Sequence, residues 1–111
     1  MITINKLEKQ KEKINDKINL LQKLPTFFKE LEREKGISES QFKEDIKGIN
    51  NIVFAFTYHI SLLGFEKKDI SIWLNKSRSN VYYYINMANN FIHVNDREFL
   101  KDLEYIKLKL K

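Results

Sequence analysis

The chain contains no cysteine, one proline and three glycines in 111 residues. Without cysteine there is neither a disulfide nor a thiolate metal site. So few prolines and glycines leave little to interrupt regular structure, and Lys, Glu, Leu and Ile dominate the rest. Helices are therefore expected over most of the chain. Histidine is scarce as well: His59 and His93 are the two present, and neither has a partner at metal-ligand spacing. The opening MITINKLEKQK has no apolar stretch of the signal-peptide kind, so a cytoplasmic protein of a bacterium or phage, without a membrane partner, is the expectation.

What is present fits one soluble all-α domain: 42% hydrophobic and 32% charged residues, enough for one core and not for two. The formal charge is +5 with a pI near 9.3, compatible with a polyanionic partner. Carboxylates are scattered along lysine-rich segments, with no isolated apolar setting that would raise a pKa for acid/base work. Neither catalysis nor a cofactor is expected.

Apolar side chains at Ile4, Leu7, Ile14, Ile18, Leu21 and Leu24 predict a first helix with a narrow seam. Lys11 interrupts the seam and about three heptads fit, so this arm either packs on its own domain or pairs with a second copy as a short coiled coil. The charge run KLEKQKEKINDK reads as its solvated face. Pro25 is expected to end or kink the helix, because the ring removes a donor and pushes the preceding residue out of the α region. A second helix then turns Phe27, Phe28 and Leu31 inward and stops at Gly36. On this reading residues 1–36 are a helical arm that braces or dimerises, and residues 37–111 a second unit, expected to be a helix-turn-helix domain.

In that second unit, Ser38 and Gln41 stand at capping-box spacing before a short helix through Phe42, Ile46 and Ile49, with Gly48, Asn50 and Asn51 as an interruption. NNIVFAFTYHISLL, apolar on most sides, predicts a central buried helix over about 50–63, ended by Gly64. EKKDISIWLN predicts a short helix with Ile70, Trp73 and Leu74 on one face. A polar connection, KSRS, leads into SNVYYYINMANNFI, whose inner face is Val81, Tyr84, Ile85, Ala88 and Ile92. Asn95 or Asp96 caps a last helix with the stripe Phe99, Leu100, Leu103, Ile106 and Leu110.

The segment IWLNKSRSNVYYYI is the informative one. A short helix, a turn of three or four residues and a longer helix, over about residues 66–92, match the helix-turn-helix unit, and Asn75 sits where that turn needs a left-handed residue. An ordinary helical hairpin is the alternative. DISIWLNKSRSNVYYYI resembles the C-terminal DNA-binding domain of the bacterial replication initiator DnaA, in the Trp-repressor-like helix-turn-helix superfamily. Ile70 matches the opening Ile of the family pattern, Leu74 its aromatic, Asn75 its turn glycine, Lys76 its basic residue, Ser79 the first of its Ser/Thr pair, and Val81 its valine. NIVFAFTYHISLLGF resembles the family's long helix and NDREFLKDLEYIKLKL its closing helix, so the likeness covers about residues 48–110.

The departures limit what carries over. Ser77 and Arg78 replace an Asp-His pair and Asn80 replaces a Ser/Thr, so the family's recognition of its own origin sequence is not implied. No Gly-rich Lys-Ser/Thr loop is present, so the initiator's nucleotide-binding module is absent from this sequence. The resemblance implies an all-α helix-turn-helix fold and duplex DNA as partner.

From the residues themselves, the inner face of the second helix leaves Arg78, Ser79, Asn80, Tyr82, Tyr83 and Asn86 outward, with Ser77 before them and Lys67, Lys68 and Lys76 flanking. Arginine suits guanine and asparagine adenine, while serine, lysine and tyrosine hydroxyls suit phosphates. For Tyr82 and Tyr83, partial burial against neighbouring helices is the competing explanation. The expectation is a small non-enzymatic regulator of transcription or accessory factor. A helical protein-interaction module, such as a phage-encoded inhibitor or adaptor, is the alternative from a different class.

Overall fold

The computed structural model describes the backbone of residues 4–44 and 50–110, with side chains described for 15–44 and 51–110. Among the described residues there are six α-helices and no strand: α1 (Ile4–Lys35), α2 (Glu39–Glu44), α3 (Asn50–Leu62), α4 (Lys67–Leu74), α5 (Arg78–His93) and α6 (Arg97–Lys109). The protein is all-α, as its composition led one to expect.

The molecule is built around α3, the most apolar helix. Ile52, Val53, Phe54, Ala55, Phe56, Thr57 and Ile60 are all buried, which a helix achieves only when covered on nearly every side. Phe54 and Phe56, two positions apart, project to opposite sides of a 3.6-residue helix. The Phe56 ring lies 5.0 Å from Phe42, 5.2 Å from Trp73 and 5.6 Å from Phe27. Phe54 lies 5.3 Å from Tyr84, 6.0 Å from Tyr83 and 6.3 Å from Phe91. Thus one aromatic cluster ties α3 to α1, α2 and α4, and the other ties it to α5. Such ring pairs add about 0.5–1.5 kcal/mol each beyond burial of their area.

Pro25 does not end the first helix: α1 runs from Ile4 to Lys35 with Pro25 inside it. The proline leaves the Leu21 carbonyl without its helical donor, a cost of about 3 kcal/mol. Against that, Leu20, Leu24, Phe27, Phe28 and Leu31 on both sides of Pro25 are buried in one core. Each such side chain contributes roughly 1.5–3 kcal/mol, so burial outweighs the proline, which is itself exposed. The same cluster includes Phe99, Leu103 and Ile106 of α6, so one core runs across residue 36.

The buried stripe of α1 is Leu20, Leu24, Phe27 and Leu31, spaced by four, three and four. Of the expected seam, Leu24 belongs to this stripe, whereas Ile18 and Leu21 are 46% and 49% exposed. Ile4, Leu7 and Ile14 of that seam lie outside the described side chains, and Ile46, Gly48 and Ile49 lie outside the described residues.

Local signals set the helix ends. Gln41 N–H donates to Ser38 Oγ (3.2 Å) and Ser38 N–H to Gln41 Oε1 (2.9 Å), closing the expected capping box. Gly64 takes φ 97°, and Phe65 N–H reaches back to the Ile60 carbonyl at 3.3 Å, a Schellman ending to α3. Asn95 and Asp96 divide two tasks: Asn95 (φ 57°) closes α5, and Asp96 Oδ1 accepts Phe99 N–H at 2.9 Å to open α6. At the far end of α6, Lys109 Nζ bridges Glu30 Oε2 (3.0 Å) and Glu34 Oε1 (2.7 Å) of α1. No helix among the described residues is long and apolar enough to cross a membrane.

Candidate nucleic-acid interface

The hinge between α4 and α5 is three residues long and each residue has a backbone task. Asn75 adopts φ 55°, ψ 44°, the left-handed conformation expected of it. Its N–H donates to the Ile72 carbonyl (3.2 Å) and Lys76 N–H to the Ser71 carbonyl (2.9 Å), the pair of bonds that satisfies the last carbonyls of a helix. Ser77 then caps α5, its Oγ accepting Asn80 N–H at 3.1 Å. The chain is turned by an asparagine and restarted by a serine without any glycine.

Packing decides which side of α5 is shown. Val81, Tyr84 and Ala88 are buried, while Arg78, Ser79, Asn80, Tyr82, Tyr83 and Asn86 are exposed. The two tyrosines are 52% and 53% exposed. Each is nevertheless anchored. Lys67 Nζ sits 5.1 Å from the centre of the Tyr82 ring, a cation–π contact joining the start of α4 to the first turns of α5. Tyr83 meets Phe54 edge to face at 6.0 Å.

Of the flanking cations, Lys68 is exposed and Lys67 and Lys76 are half-buried. No ion pair is formed by Lys67, Lys68, Lys76 or Arg78 among the described residues. The first turn of α5 has no acidic residue, so the positive end of its dipole is uncompensated there. Residues 65–94 carry a net charge of +2, from Lys67, Lys68, Lys76 and Arg78 against Glu66 and Asp69. The surface is thus mildly positive with several hydrogen-bonding side chains. Ser77 differs from the other candidates: its oxygen already serves the backbone, leaving the hydroxyl proton as the group it can offer.

Three polar atoms away from this surface, Thr57 Oγ1, His59 Nε2 and the Tyr105 hydroxyl oxygen, are buried without a hydrogen-bond partner among the described residues. Burial, and then the nearby Lys107 charge, push the His59 pKa below the usual imidazole value, which favours the neutral ring. Asp102 is shifted the other way, its pKa raised by burial and opposed by Lys35. No cluster of His, Asp and Glu that could hold a metal occurs among the described residues.

Residue-by-residue reading missed a second feature. An apolar groove of about 380 Å³ opens between α1, α3 and α4, floored by Leu20, Leu24, Phe56, Ile60, Phe65 and Trp73 and edged by Lys17, Leu21, Asp69 and Ile72. Ile72 is 70% exposed. The sequence held one signal for it: with Ile70, Trp73 and Leu74 on the inner face of α4, Ile72 is an isoleucine off the stripe. The chain matches no protein-family model, no curated protein and no solved structure.

Proposed function

We propose that this protein binds duplex DNA through the α4–α5 unit, as a small regulator or accessory factor without enzymatic activity. The observation that supports the reading most directly is the first turn of α5. Arg78, Ser79 and Asn80 are exposed side by side immediately after a hinge held by Asn75 and Ser77. A recognition helix presents its N-terminal residues to base edges in the major groove. There the Arg78 guanidinium suits guanine O6 and N7, and the Asn80 amide suits adenine N6 and N7. Ser79 beside them, and Tyr82, Tyr83 and Asn86 farther along the exposed side, suit sugar and phosphate, and Lys67, Lys68 and Lys76 supply sequence-independent attraction to the backbone. Because Lys67 rests on the Tyr82 ring, a phosphate held by its ammonium would lie close to the Tyr82 hydroxyl.

Selection of bound duplexes from a random pool, with binding repeated at several salt concentrations, tests the reading. Recovery of a motif together with affinity that falls as salt rises supports it. No enrichment even at low salt refutes it, and points instead to a protein-interaction module.

A further inference from the structure

We infer that the groove between α1, α3 and α4 is the contact face of a homodimer, in which Lys17 of each copy pairs with Asp69 of the other. The groove has an apolar floor, and apolar side chains share its rim with Lys17 and Asp69: Leu21 on the α1 side is 49% exposed and Ile72 on the α4 side 70%, with Ile18 one turn from Leu21. Exposed large apolar side chains around a concave apolar floor mark an interaction surface rather than a finished exterior.

Charge identifies the occupant. Lys17 stands on the α1 wall and Asp69 on the α4 wall, and neither forms an ion pair among the described residues. The Lys17 ammonium rests 5.7 Å from the centre of the Phe65 ring, held at the groove without an ion-pair partner among the described residues. A two-fold axis running along the groove sets α1 of one copy against α4 of the other. In such an isologous contact each residue meets its counterpart reciprocally. Lys17 then faces the second copy's Asp69, and Asp69 the second copy's Lys17, while Ile18, Leu21 and Ile72 cover the opposing floor. One base and one acid on opposite walls of a single apolar groove make the surface complementary to itself. A uniformly charged partner would leave one of the two repelled. The α5 residues proposed to read DNA do not line this groove, so dimerisation and DNA binding are separable.

Sedimentation equilibrium of the full chain, with helicity followed by circular dichroism, tests the interface. The wild type is expected to be a dimer. Lys17→Glu and Asp69→Lys are each expected to raise its dissociation constant at least roughly tenfold without loss of helicity, because each places like charges together. Lys17→Glu combined with Asp69→Lys restores opposite charges and is expected to recover dimerisation. An uncharged apolar fluorescent dye, Nile red, should bind the single variants more than the wild type. A monomeric wild type at high concentration overturns the inference, and dye binding to that monomer assigns the groove to a small apolar molecule instead. Dimers unaffected by either single reversal, or not recovered by the double reversal, overturn the Lys17–Asp69 pairing. DNA selection on the same samples distinguishes failure here from failure of the DNA-binding reading.

Discussion

Ser77 Oγ accepts the backbone N–H of Asn80 at 3.1 Å, so neighbouring members of one polar stretch have different occupations. Ser77 is engaged in starting α5, while the Asn80 side chain is exposed. Ser77→Ala should therefore destabilise the fold by about 0.5–2 kcal/mol, the usual loss of an N-cap. Arg78→Ala and Asn80→Ala should leave stability nearly unchanged. Urea titration of the three variants checks the contrast.

For DNA binding the pattern reverses. Loss of a bidentate base contact at Arg78 or Asn80 should cost about 1–3 kcal/mol and relax preference at one base pair, whereas Lys76→Ala should weaken all sequences similarly and lower the salt slope by about one. A base-substitution profile for each variant measures this. Val81→Asp, which puts a charge on the buried face of α5, is the unfolded control. If Arg78→Ala and Asn80→Ala fold and keep the wild-type profile, the exposed side of α5 is not the reader.

The left-handed turn gives a backbone prediction. Asn75→Ala places a Cβ-bearing residue without a local hydrogen-bonding side chain at φ 55° and should cost about 1–2 kcal/mol. Asn75→Gly should be close to neutral, since glycine adopts this conformation freely. Equal losses from both substitutions would show that the asparagine side chain, rather than its conformation, is what the hinge needs.

Pro25 should be replaceable with gain. Pro25→Ala restores a donor for the Leu21 carbonyl and should stabilise the protein by up to about 3 kcal/mol. A thermal midpoint that stays level or falls would show that α1 draws some benefit from the ring.

Acid should weaken the fold through His59. Its pKa is lowered by burial from the ordinary imidazole value of 6.5, so between that lowered value and 6.5 the unfolded chain binds more protons than the folded one. Stability then rises with pH across this window and is lost as pH falls through it. Glu34, lowered chiefly by its hydrogen bond from Lys109, acts in the same direction nearer 4.5. Asp102 opposes them: its raised pKa means that the advantage of its folded, protonated form fades as pH rises. His59→Gln should flatten the urea-midpoint difference between about pH 5 and about pH 7.5. An unchanged difference would remove His59 as its cause.

Much of this molecule was legible in its residues because the relevant interactions are local. The capping box at Ser38 and Gln41, the glycine that ends α3, the left-handed Asn75 and the inner faces of α4, α5 and α6 each depend on residues within one or two helical turns. The outward position of Arg78, Ser79, Asn80, Tyr82, Tyr83 and Asn86 followed from the same periodicity, because an apolar stripe at three- and four-residue spacing leaves the remainder exposed.

What tertiary structure alone decided concerns competition between distant groups. A local rule has Pro25 end or kink the helix. The fold keeps it helical, since Leu20, Leu24, Phe27 and Leu31 bury themselves in one core with α3 and α6, and that burial exceeds the loss of one hydrogen bond. The expected seam ran through Ile18 and Leu21, which stay exposed, while the buried side is turned toward the aromatic rings of α3 and α4 that meet Phe27 and Phe28. Lys17 and Asp69, 52 positions apart in the chain, come to share one groove only because α3 brings α1 and α4 together. Periodicity reports which face of a helix is apolar, but the partner of that face is set by packing between segments far apart in sequence.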